Sequence, residues 1–350
     1  MARLKLGIAV DALRLAAPFR IASHVFDSRL ACLVTLDDGT HVGRGEATGV
    51  YYLGEDIETM RVQLEAARDA IEAHPSREEL RAILPAGGAR NAVDAALWEL
   101  ESKQTGTPVW ALAGLAAPRP LPTTFTVGAD DPAAMAVAAV AYRQARSIKV
   151  KLTGDLDLDI ARVAAIRAVR PDVWLGVDAN QGYRIGDLDR LVTAMLAADV
   201  SLIEQPLARG READLDGFAS PIPLAADESA LTLADVEGLR GRFKVFNIKL
   251  DKCGGLTEAL LIAAAAREAD LGVMVGCMVC SSLGAAPGFV VGQLCDLVDL
   301  DGPTFLKQDR TPGVVYRDGT IWCDDAVWGA AAEARGARGA RNDVNAATQD

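Results

Sequence analysis

Five short runs place charged groups at the ends of apolar stretches: Lys149-Val150-Lys151, Asp178-Ala179-Asn180, Glu204-Gln205-Pro206, Asp227-Glu228-Ser229 and Ile248-Lys249-Leu250. Buried strands carry Lys, Asp or Glu only where those groups pair or hold a metal, so repetition at similar intervals points to one shared site. Asp178, Glu204 and Asp227 in one small pocket would repel strongly unless a hard divalent cation held them. An all-oxygen ligand set points to Mg²⁺, with Mn²⁺ as the second candidate. The plain alternative is that each acid caps a following helix, which suits Asp131 or Asp187 better than three acids at successive strand ends.

Lys149 and Lys151 alternate with apolar neighbours, so both side chains leave the same face of a strand. Lys249 ends another strand, four further round. Two lysines on opposite walls, with a metal-bound carboxylate between them, can take a proton from one face of a carbon and return one to the other. That is racemase or epimerase geometry. A proton α to a carboxylate is weakly acidic, and its loss leaves an ene-diolate that only a metal and nearby cations stabilise. A neighbouring ammonium and a divalent cation are both expected to lower the pKa of the base lysine. The alternative is that these lysines are exposed and serve solubility.

The chain must supply strands to carry these ends. After the Pro-rich break at 115 to 122, short apolar strands alternate with Ala-rich helices such as 131 to 145, 157 to 169 and 256 to 269. The strands are expected to end near 127, 151, 178, 205, 227, 250, 277 and 301, one strand, helix and two loops apart. No G-x-G-x-x-G follows the first strand, which favours a closed barrel over an open doubly wound sheet. In a parallel barrel all strand C-termini open on one face, where the charged runs meet. Before the break, strands at 4 to 10, 30 to 36 and 41 to 46, with a hairpin signal at Asp37-Asp38-Gly39, precede helical patterns at 55 to 73, 76 to 83 and 90 to 103. The expected fold class is α/β: a modified (β/α)7β TIM-like barrel with an α+β capping domain. The expected division is 1–117 for the capping domain, 118–302 for the barrel, 303–328 for a segment returning to the cap, and 329–350 for a disordered tail.

With 350 residues, half of them apolar, the chain can bury a large core. A net charge of −12 with three histidines argues against a nucleic-acid partner and for small molecules. The start carries no secretory pattern, so a cytoplasmic location is expected. The six cysteines read as reduced thiols, and Cys277-x-x-Cys280 as packing in preference to a redox or zinc site. Leu271 to Cys295 lacks charge, but Pro287 and five glycines suit a strand, a loop and a helix start better than a membrane span.

The five runs, in this order, resemble the enolase superfamily in its muconate-lactonising subgroup, over about residues 1 to 325. By that resemblance Asp178, Glu204 and Asp227 match the Mg²⁺ ligands, Lys151 and Lys249 the two acid/base catalysts, and Lys149 a lysine near the substrate carboxylate. The eighth strand ends Asp299-Leu300-Asp301, which is similar to the pair that binds the free α-ammonium group in dipeptide epimerases. The alternative there is a solvated acidic loop. The stretches 77 to 100, 247 to 260, 275 to 284 and 299 to 306 resemble the epimerases of the L-Ala-D/L-Glu type, in which Thr126 and Cys277 would contact substrate. The resemblance also implies a scaffold on which homo-oligomers are common.

The departures lie in two capping loops, 22 to 28 and 50 to 55. Ser23, Phe26 and Tyr52 stand where the resemblance implies basic groups, and Arg20 and His24 are the remaining sources of positive charge. An aromatic pocket would leave an acidic side chain unpaired, which favours a neutral or apolar second residue without excluding an acidic one. The implied activity is a Mg²⁺-dependent dipeptide epimerase inverting the α-carbon of the C-terminal residue. An N-acyl amino acid racemase or cycloisomerase of the same superfamily is the alternative among enzymes, and a non-catalytic carboxylate-binding barrel the alternative of another class.

Overall fold

The computed structural model describes residues 3–21 and 24–330. Strands β1 (Lys5–Ile21) and β2 (His24–Asp37) form an antiparallel pair, and β3 (Val42–Ala47) adds to β2. The hairpin read at Asp37-Asp38-Gly39 is present. Asp37 accepts the Gly39 N–H at 2.7 Å, and Asp38 accepts those of Thr40 and His41 at 2.8 and 2.7 Å. The first two strands run far longer than expected, and residues 24 to 28, read as a loop, lie in β2. Leu13 and Leu15 continue the alternation as buried residues, but Ala16, Ala17, Pro18, Arg20, Val25, Asp27 and Ser28 are all exposed, so none marks the outer part of the extension. Backbone pairing carries it, with one register shift between Arg14 and Phe19.

Helices α1 (Ile57–Ala66), α2 (Arg68–Glu72), α3 (Arg77–Ile83), α4 (Gly88–Thr105) and α5 (Val109–Leu112) complete this part. Capping boxes at Asp56 and Ser76 start α1 and α3, and the pattern at 55 to 73 divides at Ala67. Leu36, Met60, Leu64, Leu80 and Leu100 fill the core between α4 and the sheet. Helix α4 lies so close to β3 that a Cβ at Gly45 would sit 2.8 Å from the carbonyl carbon of Ala92 and inside its oxygen.

Strand β4 (Leu121–Pro122) precedes the barrel. Its first half is β5 (Thr124–Val127), α6 (Pro132–Ala141), β6 (Ser147–Lys151), α7 (Leu156–Val169), β7 (Trp174–Asp178), α8 (Leu188–Ala197) and β8 (Leu202–Glu204). The second half is β9 (Leu224–Ala226), α9 (Val236–Leu239), β10 (Val245–Lys249), α10 (Leu250–Cys253), α11 (Leu256–Glu268), β11 (Gly272–Gly276), α12 (Ser282–Gly292) and β12 (Leu297–Asp299). All eight strands are parallel and paired in chain order from β5 to β12. Their ends fall within two residues of those read from the sequence. Between β8 and β9 a 3-10 turn at Glu212–Leu215 stands in place of a helix.

Among the described residues no ladder pair joins β12 to β5; side chains close the ring instead. Thr124 Oγ1 donates to Asp299, the Leu300 N–H donates to Thr123 Oγ1 at 3.0 Å, and the Thr126 N–H donates to Asp301 at 2.6 Å. Asp131 caps α6, accepting from Ala133 and Ala134 at 3.0 Å. Asp187 does not cap α8; its carboxylate accepts the Arg184 N–H at 3.0 Å. The uncharged stretch from Leu271 forms β11 and α12, with Pro287 inside the helix. Among the described residues no helix is long and apolar enough to cross a membrane.

Strands β13 (Val315–Arg317) and β14 (Thr320–Trp322) form an antiparallel pair, and β14 pairs with β4. The chain then meets the cap, where Arg44 donates to the Val327 carbonyl at 2.9 Å and Trp328 Nε1 to that of Arg44 at 3.2 Å. Of the expected tail, Ala330 is tied to Ser102 Oγ at 2.9 Å, and residues 331–350 lie outside the described residues.

Gly45→Ala is expected to lower unfolding stability by about 1–3 kcal/mol, because the contact is with backbone and cannot relax cheaply. Gly238→Ala, in α9 with nothing within 4 Å, should change it by less than about 0.5 kcal/mol. Urea midpoints of the two variants, with unchanged m-values, check this.

Candidate active site

The barrel delivers Asp178 from β7, Glu204 from β8 and Asp227 from the residue after β9 to one point, all of them buried. One oxygen of each lies within 4.8 Å of the others. The turns after two of these strands are strained, since Asn180 and Gln205 hold positive φ angles of 43° and 37°. The strain is put to use. Asn180 turns its N–H back to Asp178 Oδ1 at 3.0 Å, and Gln205 Oε1 accepts the Asp227 N–H at 2.9 Å.

Lysines flank the triad from both sides. Lys151 Nζ bonds Asp178 Oδ2 at 2.5 Å, and Lys249 Nζ, from β10, bonds Asp227 Oδ2 at 2.6 Å. Lys149, two residues from Lys151 on the same face, reaches Glu204 Oε2 at 3.5 Å and pairs closely with Asp299. The resemblance placed Lys149 by a substrate carboxylate; in the protein alone its partner is Asp299.

Several groups bear on this site that sequence reasoning passed over. Lys252, fully buried, bonds Asp227 Oδ1 at 2.6 Å and the carbonyls of Asp227 and Asn247 at 2.6 and 2.9 Å. Asn247 donates to Glu204 Oε1 at 2.7 Å. The alternation that pairs Lys149 with Lys151 would also have paired Asn247 with Lys249. No pattern marks Lys252, which sits on the turn beyond the strand.

The oxygens left over fit a cation. Glu204 Oε2, Glu228 Oε2, Asn180 Oδ1 and Asn247 Oδ1 are buried without a hydrogen-bond partner, although Lys149 stands 3.5 Å from the first. Three clustered carboxylates, one of them with an unpaired oxygen and none accompanied by a nitrogen or sulfur ligand, suit Mg²⁺ or Mn²⁺.

Burial, then the charge of Asp178, pushes the Glu204 carboxyl up to about 7. Burial, then Asp227, pushes Glu228 up to about 8. Asp227 goes the other way: burial opposes its ionisation, but Lys249 and Lys252 outweigh it and hold the group below the usual carboxylate range. Burial likewise opposes the Lys249 ammonium, yet Asp227 and Glu204 hold it well above its ordinary value. Carboxylates, and not a second ammonium, are its nearest charges. Asp301 is raised to about 7 by burial and by Asp299.

A cleft joins these groups to the cap. Thr126, Cys277, Asp299 and Asp301 line it from the barrel, and Phe26 and Tyr52 from the cap. Arg20 does not; it lines a separate apolar groove behind Thr126 and Phe305. Ser23 and the side chain of His24 lie outside the described residues. Among the described residues of the cap, Arg29 brings positive charge to the cleft, with Tyr51 beside it. Arg29 fell between a segment read as loop and one read as strand, so neither reading weighed it.

Comparison with known proteins agrees with this architecture. Residues 4–114 match the mandelate racemase/muconate lactonizing enzyme N-terminal domain, and residues 131–327 match the enolase C-terminal domain-like family. The chain is 36% identical over 311 residues to the L-Ala-D/L-Glu epimerase of Escherichia coli, covering 89% of this chain and 97% of that one. It is 38% identical over 302 residues to an N-acetyl-D-glutamate racemase of a Pseudoalteromonas species, covering 85% and 95%. A solved enolase family member from Agrobacterium tumefaciens, with bound sodium and L-Ala-L-Glu, superposes with a TM-score of 0.90 at 36% identity over 93% of this chain and all of that one. A dipeptide epimerase from Methylococcus capsulatus, complexed with Mg and L-Arg-D-Lys, gives 0.83 at 30% identity over 92% and 97%. With both halves matched in order and the strand-end chemistry in place, the chain belongs to the mandelate racemase/muconate lactonizing enzyme family of the enolase superfamily.

Proposed function

We propose that this protein is an isomerase that inverts the α-carbon of the C-terminal residue of a dipeptide, with a divalent cation, Mg²⁺ or Mn²⁺, held by Asp178, Glu204 and Asp227. The observation that carries this reading is that one cleft holds both a lysine on each side of the triad and a pair of buried aspartates, Asp299 and Asp301, at its barrel end. The lysine pair accounts for the reaction and the aspartate pair for the substrate.

A cation held there draws the charge of the three carboxylates to itself, lets the lysines become less basic, and offsets the charge that grows on the substrate carboxylate. The steps belong to the chain. One lysine, in its neutral form, takes the α-proton on its Nζ; the other, as an ammonium, returns a proton to the opposite face. Lys151 and Lys249 exchange these parts between the two epimers. Asp299 and Asp301 receive the free ammonium group, which replaces Lys149 Nζ at Asp299 and leaves Lys149 to face the substrate carboxylate. An ammonium at that point also restores the charged form of Asp301, which burial and Asp299 hold at about 7. The Thr126 N–H and Thr124 Oγ1 keep the two carboxylates oriented. The side chain of the second residue then lies beneath Phe26, Tyr51 and Tyr52. All six cysteines are free thiols, which supports the expected cytoplasmic location.

An N-acetylated amino acid, the substrate type named for the Pseudoalteromonas relative, has no ammonium to replace Lys149 at Asp299, so once Lys149 turned to its carboxylate the buried Asp299 and Asp301 would lose their closest counter-charge. The aspartate pair therefore favours the dipeptide.

In D₂O with Mg²⁺, L-Ala-L-Xaa dipeptides are expected to gain deuterium at the second α-carbon. Lys151→Ala and Lys249→Ala should each reduce inversion by about 10²–10⁴-fold, and chelation of the metal should stop it. No exchange with any dipeptide would overturn the assignment. Asp299→Asn should lower kcat/KM for the best dipeptide by about 10- to 100-fold, the worth of one charge-assisted hydrogen bond. Equal activity of that variant and the wild type, or faster wild-type turnover of N-acetyl amino acids, would favour the racemase.

A further inference from the structure

The Thr48 peptide joins the cap to the catalytic wall of the barrel. Its N–H and that of Gly49 donate to the same oxygen, Asp251 Oδ1, at 2.9 and 3.1 Å. Its carbonyl accepts from Arg29 Nη2 at 3.0 Å. Asp251 is buried in the α10 turn, between Lys249 and Lys252, both of which bond Asp227. Beyond Gly49, which takes a left-handed φ of 70°, the chain makes the 3-10 turn Tyr51–Leu53. Glu55 ties down its far side, accepting the N–H groups of Val50 at 3.0 Å and Gly88 at 2.8 Å. The turn hangs Tyr51 and Tyr52 into the cleft, and the buried Tyr52 hydroxyl has no hydrogen-bond partner. The Arg29 guanidinium lies 5.0 Å from the Phe26 ring centre and 5.7 Å from that of Tyr51.

A buried carboxylate is costly unless its bonds are needed. Asp251 makes two, both to the peptide that leads into the turn, and removing it would strand two buried donors. We propose that Asp251, assisted by Arg29, is a positioning residue that seats the Tyr51–Tyr52 turn against the Lys249 wall and so sets the size of the pocket for the second side chain. The inference rests on the proposed function only in placing that side chain beneath the turn. Selectivity for the second residue is then decided partly by the barrel, through the segment that carries the base.

Two readouts test this. Amide hydrogen exchange across residues 48–53 needs no turnover: Asp251→Ala should speed it, with β10 still protected, and Asp251→Asn, which keeps the Oδ1 acceptor, should not. In turnover, the ratio of kcat/KM for L-Ala-L-Leu or L-Ala-L-Glu to that for L-Ala-L-Ala should shift by about tenfold or more in Asp251→Ala, chiefly through KM, and by less than about threefold in Asp251→Asn. Arg29→Met should shift the same ratio, and it decides the question if Asp251→Ala does not fold. Unchanged exchange and ratios would overturn the proposal. So would a loss confined to L-Ala-L-Glu in Arg29→Met with Asp251→Ala neutral, since Arg29 would then be a ligand for an anionic side chain. A wild type inert towards all three dipeptides sinks the proposed function and leaves the exchange experiment to judge the clamp.

Discussion

Three carboxylates buried at the ends of adjacent parallel strands are the constraint around which the rest of this molecule is arranged. Each would be costly alone, and together they repel. The fold answers with cations of its own on every side: Lys151 at Asp178, Lys149 at Glu204, and Lys249 with Lys252 at Asp227. Asp227 is held ionised by its two lysines, whereas Glu204, whose lysine is more distant, is pushed up by burial. This uneven compensation leaves Glu204 Oε2 unpaired, beside the unpaired Glu228 Oε2, and fits the clustered triad to a metal site and not to a set of salt bridges alone.

The same demand governs how the barrel is closed. Between β12 and β5 the ring is held by the side chains of Asp299, Asp301, Thr123 and Thr124, not by a strand ladder. The acids at this seam are the ones that face the cleft. A closure made by carboxylates leaves charge at the seam for a substrate to meet, which a continuous ladder would not.

The cap is bound to the barrel through polar groups that anchor segments adjoining the site. Glu46 of β3 accepts from the Ser281 N–H at 2.7 Å and from Arg310 Nη2 at 3.0 Å, which seats the start of α12 and the loop beyond Cys277. Asp94 of α4 accepts from the Thr257 N–H at 3.1 Å, and Arg90 of the same helix donates to the Gly254 carbonyl at 3.2 Å, next to the α10 turn. Cap and barrel therefore do not slide freely. Their relative position reaches the catalytic wall through fixed bonds.

Much of the site was legible in the residues alone because period-2 alternation and repeated strand–helix spacing are local. Charges that break apolar strands at that spacing can share only one face of a parallel barrel. Asp178, Glu204, Asp227, Lys151 and Lys249 were readable for that reason. The outer end of the β1–β2 pair, beyond Leu15, was not, since exposed strands carry no alternation and their pairing lies in backbone bonds that side chains do not encode. Lys252, Arg29 and Asp251 were hidden for a different reason: each acts from a turn or a strand edge on a partner distant in sequence. The sequence by itself determined the fold class, the acid triad and the opposed lysines. Only the tertiary structure decided that Lys149 pairs with Asp299 and that Arg29, not Arg20, faces the cleft. It also joined the cap's aromatic turn to the Lys249 wall. These depend on how the cap sheet and the barrel meet, and no local period records that.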